Sequence, residues 1–132
     1  PAYSDLFAGL QSGDSIGAFP SAGLGHGAAG DEIDCVDPKK GSPAQTKILA
    51  TADGFEKEYR PAIETQTQIH NRSLDLDDEL IRADLAWIDL VSGGAIFSTG
   101  SINWISSLCY NECENSVSTI TLNAIKRIMR PK

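Results

Sequence analysis

The chain has 132 residues and a formal net charge of −7, a length that corresponds to one domain or to part of one. Hydrophobic residues make up 41% and charged residues 22%, which is enough for a buried core and unlike a disordered segment. The acidic balance argues against nucleic acid and anionic membranes as partners, because both attract clustered Lys and Arg. No apolar run approaches the ~20 residues that a membrane span requires.

The first part of the chain is punctuated by glycine and proline. Residues 1–22 show no sustained periodicity and are predicted to be an irregular segment that contacts another polypeptide. Residues 23–30, GLGHGAAG, are too rich in glycine for a helix or strand interior and predict a tight turn. Turn-forming residues over 37–43 predict a surface loop.

Two strands and a loop are predicted next. The apolar run 47–52, KILATA, ends at Asp53-Gly54 and predicts a buried strand followed by a turn. Partial alternation over 59–69 predicts a second strand, which Pro61 restricts to an edge or a bulge. The polar stretch 71–79 predicts an acidic loop.

The last third combines a hairpin with a helix. Residues 83–90 and 95–98 are apolar runs joined across Gly93-Gly94, a pattern typical of a β-hairpin. A helix capped by Asn115 or Ser116 is predicted to run to about Met129, with its apolar residues at helical spacing. Together the elements predict an α/β or α+β chain that forms part of a layered domain.

The three cysteines do not predict a disulfide framework, because their number is odd, and they fit a reducing, cytoplasmic setting. Cys109 and Cys113 are four residues apart, which on a helix could place two thiolates together. A structural zinc site needs about four ligands. The pattern therefore favours ordinary half-buried thiols over metal binding, and no metal ligands are assigned to this chain.

Gly25, Gly27 and Gly30 match the spacing of a dinucleotide-binding loop, with Asp53 near the position of a ribose ligand. That motif must follow a buried strand and open a long helix. The residues before it are not strand-like, and Pro38 would interrupt the helix early. A nucleotide-binding module is therefore disfavoured.

A dense polar cluster stands beside the glycine turn: His26, Asp31, Glu32 and Asp34. A carboxylate on such a turn could act as a general base or orient one, and the alternative is a solvated acidic loop with an incidental histidine. Short polar residues around Ser101, beside a glycine and before Trp104, predict a ligand-facing turn. The same Trp104, like Trp87, is more typical of a core.

Three segments, taken together, resemble the C-terminal region of the N,N-dimethylformamidase large-subunit-like family. They read GLGHGAAGDEIDCVDPKKGSP, ADLAWIDLVSGGAIFSTGSINWISSL and ENSVSTITLNAIKRI, and they occur in the family's order and spacing. The chain departs from the family pattern at His26, where glycine is more common. It departs again at residues 109–113, CYNEC, which replace a typical Ser-His-Asn sequence.

The resemblance implies that residues 23–132 are the C-terminal portion of a glutamine-amidotransferase-like domain that lacks the amidotransferase nucleophile. It implies an amide hydrolase for small amides such as N,N-dimethylformamide, with an iron held by tyrosine and glutamate side chains outside this chain. Glu32 is the implied catalytic residue, with substrate-binding or supporting roles for His26, Asp31, Asp34, Ser101 and Trp104. The activity then needs another polypeptide that carries the upstream domains, in an oligomer. The alternative is a non-catalytic accessory chain that keeps the fold.

Overall fold

A computed structural model describes residues 2–20, 27–55, 59 and 80–130. Its centre is a three-stranded antiparallel sheet in the order β1-β2-β3, with β1 at Lys47–Ala52, β2 at Ala83–Asp89 and β3 at Ala95–Ser98. A short helix, α1, spans Asn103–Ser107, and the C-terminal helix α2 spans Ser116–Ile128. The chain is thus mixed α/β. The amidotransferase-like layering of a complete domain stays a prediction.

The hairpin of β2 and β3 is confirmed. Trp87 pairs with Phe97 and Ile88 with Ile96, and the chain turns through two left-handed glycines, Gly93 and Gly94. Glycine adopts this conformation without the steric cost of a Cβ atom, which is why a Gly-Gly pair suits a tight turn between strands.

The strand β1 has the predicted bounds but not the predicted burial. None of its six residues is fully buried, and Ile48 is 48% exposed. In the described part of the chain, β1 pairs only with β2 and forms an edge, and its register shifts between Ile48 and Ala50. The expectation of a buried strand was therefore wrong, because an apolar composition does not distinguish a central strand from an edge strand.

The core lies between one face of the sheet and α2. Leu85 and Trp87 of β2 are buried with three residues of the helix that share one of its faces, Val117, Ile120 and Ala124. Phe97 joins them and contacts both tryptophans, with ring centroids 6.1 Å from Trp87 and 6.2 Å from Trp104. Burial of side chains of this size stabilises a fold by roughly 1.5–3 kcal/mol each. The prediction that both tryptophans belong to the core is confirmed.

The N-terminal segment packs on α2 of its own chain. A 3-10 turn at Ser4–Phe7 places Leu6 in the core with no exposed surface. The Asn123 side-chain amide donates to the Leu6 carbonyl at 3.1 Å and to the Ala8 carbonyl at 2.9 Å, and Arg127 pairs with Asp5. The segment is irregular, as predicted, and part of it packs against the helix α2. Its contact with another polypeptide stays a prediction.

Three further predictions concerned secondary structure: the C-terminal helix, the strand 59–69 and the loop 71–79. The C-terminal helix and its cap at Asn115 are confirmed. Helix α1 was not predicted, because five residues are too few to show helical periodicity. The predicted strand 59–69, apart from residue 59, and the predicted loop 71–79 lie outside the described residues. Among the described helices, none combines the length and apolarity needed to cross a membrane.

Candidate functional site

The backbone around Glu32 is held against the segment that follows β3. Ile33 and Ser101 form an antiparallel bridge, and the Ile102 amide donates to the Glu32 carbonyl at 3.1 Å. These contacts join residues about 70 positions apart in the chain. The segment around Glu32 is thereby fixed relative to the end of the hairpin, which gives Glu32 a defined backbone position.

The same pairing continues to the central strand. The Asp34 amide donates to the Gly100 carbonyl at 2.9 Å, and the Asp34 carbonyl accepts from the Asp84 amide at 3.0 Å. Gly100 has a φ of +62°, and a Cβ atom there would lie 2.5 Å from the Asp84 carbonyl oxygen. Only glycine permits so close an approach to a neighbouring backbone. Gly100 is thus the point at which the segment around Glu32, the segment after β3 and the strand β2 come together.

The Ser101 hydroxyl fastens the glycine turn to α1. Its oxygen accepts from the Gly30 amide at 2.9 Å and from the Asn103 amide at 3.2 Å, and the hydroxyl donates to the Gly30 carbonyl at 2.8 Å. Ser101 is buried, so these bonds form away from water. The predicted ligand-facing turn is instead the entry to α1, and the Ser101 hydroxyl points into the protein's own backbone.

A buried carboxylate, Asp84, completes the support. Asp84 accepts from the Val36 amide at 2.8 Å, from the Thr51 hydroxyl at 2.8 Å and from Arg82 Nε at 3.0 Å. Its side chain has no exposed surface, and a buried charge requires such partners. The sequence analysis missed this residue, although an acid between apolar residues in the middle of a strand was a signal for it.

The predicted acids occupy different environments. Glu32 and Asp34 are exposed, whereas Asp31 and Ile33 are half-buried, the alternation of an extended segment. Asp31 has a φ of +60°, and its amide donates to the Tyr59 hydroxyl at 2.9 Å. Glu32 and Asp34 therefore share the solvent side of the segment, and Asp31 turns the chain before them. His26 lies outside the described residues.

Trp104 lines a cavity of about 420 Å³ beside the glycine turn. The wall is mostly small, with Ala28 and Ala29 of the turn on one side and Thr51 and Thr99 among the polar contributors. The Trp104 indole N–H donates to the Thr121 hydroxyl at 2.9 Å, which ties the ring to α2. Glu32 is not among the residues that line this cavity.

Asn103 is a second residue that sequence reasoning missed. It is only 5% exposed, and its side-chain amide nitrogen has no hydrogen-bond partner among the described residues. The described ranges also contain no group of three His, Cys, Asp or Glu side chains that could hold a metal ion. In chemical terms, this arrangement presents an exposed carboxylate, Glu32, from a backbone that is hydrogen-bonded to the segment after β3.

Comparison with known proteins gives the same family for most of the chain. The family described as N,N-dimethylformamidase beta subunit-like, C-terminal, matches residues 2–115. A protein named N,N-dimethylformamidase beta subunit from Paracoccus aminophilus is 32% identical over 107 residues, or 81% of this chain and 14% of that protein. The protein of the same name from Alcaligenes sp is 30% identical, with the same coverage of 81% and 14%.

These matches agree with the resemblance in the family and differ in the name of the subunit. The relatives are called beta subunits, whereas the resemblance was to a large subunit. The matched region spans only 14% of the length of each relative.

Proposed function

We propose that this chain, which belongs to the N,N-dimethylformamidase beta subunit-like C-terminal family, supplies the carboxylate of Glu32 to an amide hydrolase whose other parts lie on another polypeptide. One observation carries the proposal: Glu32 is exposed, while its own carbonyl accepts from the Ile102 amide and the nearby Asp34 amide donates to the Gly100 carbonyl. A group that transfers a proton needs both accessibility and a fixed position. The relatives' name supports small amides such as N,N-dimethylformamide as substrates.

The proposed chemistry is hydrolysis of the amide C–N bond. Water adds to the carbonyl carbon and the C–N bond breaks, which gives an acid and an amine. A carboxylate beside the carbonyl accepts a proton from the attacking water and returns it to the nitrogen of the leaving amine. Glu32 takes this role in the proposal. The position of Glu32 is held by three neighbours. These are the backbone of Asp34 and the side chains of Ser101 and Asp84.

The resemblance implies an iron held by tyrosine and glutamate side chains outside this chain. Among the described residues, no group of three His, Cys, Asp or Glu side chains stands together where it could hold a metal ion. We propose that the iron and its ligands lie on the other polypeptide. The role proposed for Glu32 concerns the proton alone and requires only that its carboxylate reach the substrate.

The proposal also covers the wider assembly. We expect the sheet and α2 to form part of an amidotransferase-like layered domain that the other polypeptide completes, in an oligomeric, cytoplasmic enzyme. The edge that β1 forms within the described ranges, together with the exposed Ile48 and Ile96, supports a further layer or strand there.

The experiment is steady-state hydrolysis of a small formamide by the assembled enzyme with Glu32→Gln. We expect kcat to fall by about 10²–10⁴-fold, the usual contribution of a general acid–base group, with assembly and iron content unchanged. Asp31→Asn and Asp34→Asn are the controls. Asparagine tolerates the left-handed backbone of Asp31, and Asp34 contributes its backbone to the support, so both variants should keep most of the activity.

Turnover close to normal in Glu32→Gln, with iron bound, would show that Glu32 is not the proton-transfer group. If the wild-type assembly bound iron and hydrolysed no amide at all, the chain would instead be the non-catalytic accessory subunit that the sequence left as the alternative.

A further inference from the structure

The connection between α1 and α2 carries two free cysteines, Cys109 and Cys113, and both are exposed. The only other cysteine of the chain, Cys35, is half-buried and lies near the glycine turn. Exposure matters because a thiol must reach an oxidant in solution to react. Neither the proposed hydrolysis nor the packing of the core uses this pair.

The backbone between the two cysteines folds back on itself. Asn111, Glu112 and Cys113 are all left-handed, with φ values of 50°, 56° and 67°. Such conformations are uncommon for residues other than glycine, and three in succession persist only when the surroundings hold them. Cys109 immediately precedes this turn and Cys113 ends it, so the reversal places the two cysteines at the two ends of one four-residue turn.

Neighbouring contacts hold the turn in place. The Tyr110 ring stacks on Phe19 with centroids 4.2 Å apart and an interplanar angle of 8°. The Asn115 side-chain amide donates to the Tyr110 carbonyl at 2.7 Å, and the Glu114 amide donates to the Asn111 carbonyl at 2.8 Å. The turn that carries the two cysteines is therefore held by its neighbours.

The two thiols also have different roles in an exchange reaction. The hydrogen bond with Cys109, followed by the charge of the Cys109 thiolate, raises the pKa of the Cys113 thiol above its ordinary value. The thiolate is the nucleophile in thiol–disulfide exchange, so the raised pKa disfavours Cys113 as the first sulfur to attack.

We propose that Cys109 and Cys113 form a reversible intramolecular disulfide, with a small-molecule disulfide such as oxidised glutathione as the oxidant. The Cys109 thiolate attacks one sulfur of the oxidant, which forms a mixed disulfide and releases one glutathione thiolate. Cys113 then loses its proton, and its sulfur attacks the Cys109 sulfur and releases the second glutathione thiolate. Two protein thiols are oxidised, and one glutathione disulfide is reduced to two thiols.

Two thiols are all that a disulfide requires. A structural zinc site uses about four ligands, of which two sulfurs supply half. The two cysteines stand where the family resemblance has a typical Ser-His-Asn sequence. The sequence analysis expected half-buried thiols here, and the exposure of both sulfurs overturns that expectation.

The test is a thiol count before and after incubation of the chain with oxidised glutathione. The reduced, denatured chain has three titratable thiols. To exclude reaction at Cys35, the parent is Cys35→Ser, and the single variants Cys109→Ser and Cys113→Ser are made in that background. We expect the parent to lose both remaining thiols with no bound glutathione, and a reductant to restore both. Each single variant should keep a glutathione adduct, because the resolving sulfur is absent.

Three outcomes would overturn the proposal: both thiols surviving the treatment, glutathione remaining on the parent, or disulfide-linked dimers on a non-reducing gel. Should Cys35→Ser not fold, the wild-type chain serves as the test. Non-reducing peptide mapping must then find Cys109 and Cys113 joined to each other, and a map without this link would equally contradict the proposal.

Discussion

Asp84 lies on the central strand with its carboxylate entirely shielded from solvent. An ionised group in such a place is stable only when donors replace the lost water. Here the donors come from three parts of the chain, the Val36 amide, the Thr51 hydroxyl and Arg82 Nε. One carboxylate therefore links the segment that carries Glu32, β1 and the start of β2.

We expect Asp84→Asn to lower the free energy of unfolding by about 3 kcal/mol. The amide nitrogen cannot accept a hydrogen bond, so one buried donor loses its partner and Arg82 loses its counter-charge. Asp34→Asn is the matched control and should change stability by less than about 0.5 kcal/mol, because its side chain is exposed and its backbone makes the contacts. Urea unfolding of both variants measures the difference, and equal stabilities would contradict the role given to Asp84.

At the scale of the element, α2 depends on the residue that precedes it. The Asn115 side-chain oxygen accepts from the Ser118 amide at 2.9 Å, which satisfies one of the free donors at the start of the helix. Its amide nitrogen donates to three carbonyls in the connection between α1 and α2, those of Ser107, Leu108 and Tyr110. A single side chain thus caps α2 and holds the preceding connection.

We expect Asn115→Ala to destabilise the fold by about 2 kcal/mol, since it removes both the cap and the bonds to the connection. Asn115→Ser keeps an oxygen that can cap the helix and loses the amide donors, so it should recover about 1 kcal/mol. Thermal or urea unfolding of the two variants separates the contribution of the helix cap from that of the bonds to the connection. A serine variant as unstable as the alanine variant would mean that the cap contributes little.

At the scale of the whole molecule, the two faces of the sheet are unequal. Leu85, Trp87 and Phe97 point to the core, whereas the register places Ile48 and Ile96 on the other face, where they are 48% and 46% exposed. Exposed β-branched residues on a sheet face indicate a contact surface when they occur together. These exposed side chains support a contact between this sheet face and another polypeptide.

We expect the isolated chain to associate with itself through this face in a concentration-dependent manner. The double variant Ile48→Asp/Ile96→Asp should be monomeric, because two charges cannot be buried together in an apolar contact. Val91→Asp, at a fully exposed position of the hairpin turn, should behave as the parent does. Sedimentation velocity measures all three. A parent chain that stays monomeric at high concentration and binds no hydrophobic dye would contradict the idea.

The sequence by itself determined the elements whose signals are local. The Gly93-Gly94 turn, the apolar periodicity of α2 and its cap at Asn115 involve residues a few positions apart, so they are readable without the fold. The family, too, followed from motifs in the sequence. Within the site, Glu32 was selected by its motif, because three neighbouring acids have the same composition and differ only in their surroundings.

Only the tertiary structure decided what depends on residues distant in the chain. It made β1 an edge, drew Leu6 into the core, joined Gly30 to Ser101, and left Glu32 exposed while it gave Asp84 three donors. It also brought Cys113 back to Cys109 through a left-handed turn that no propensity favours. The physical reason is common to all of these: burial and hydrogen-bond partners are set by the packing of separate segments, and local sequence does not specify which segments meet.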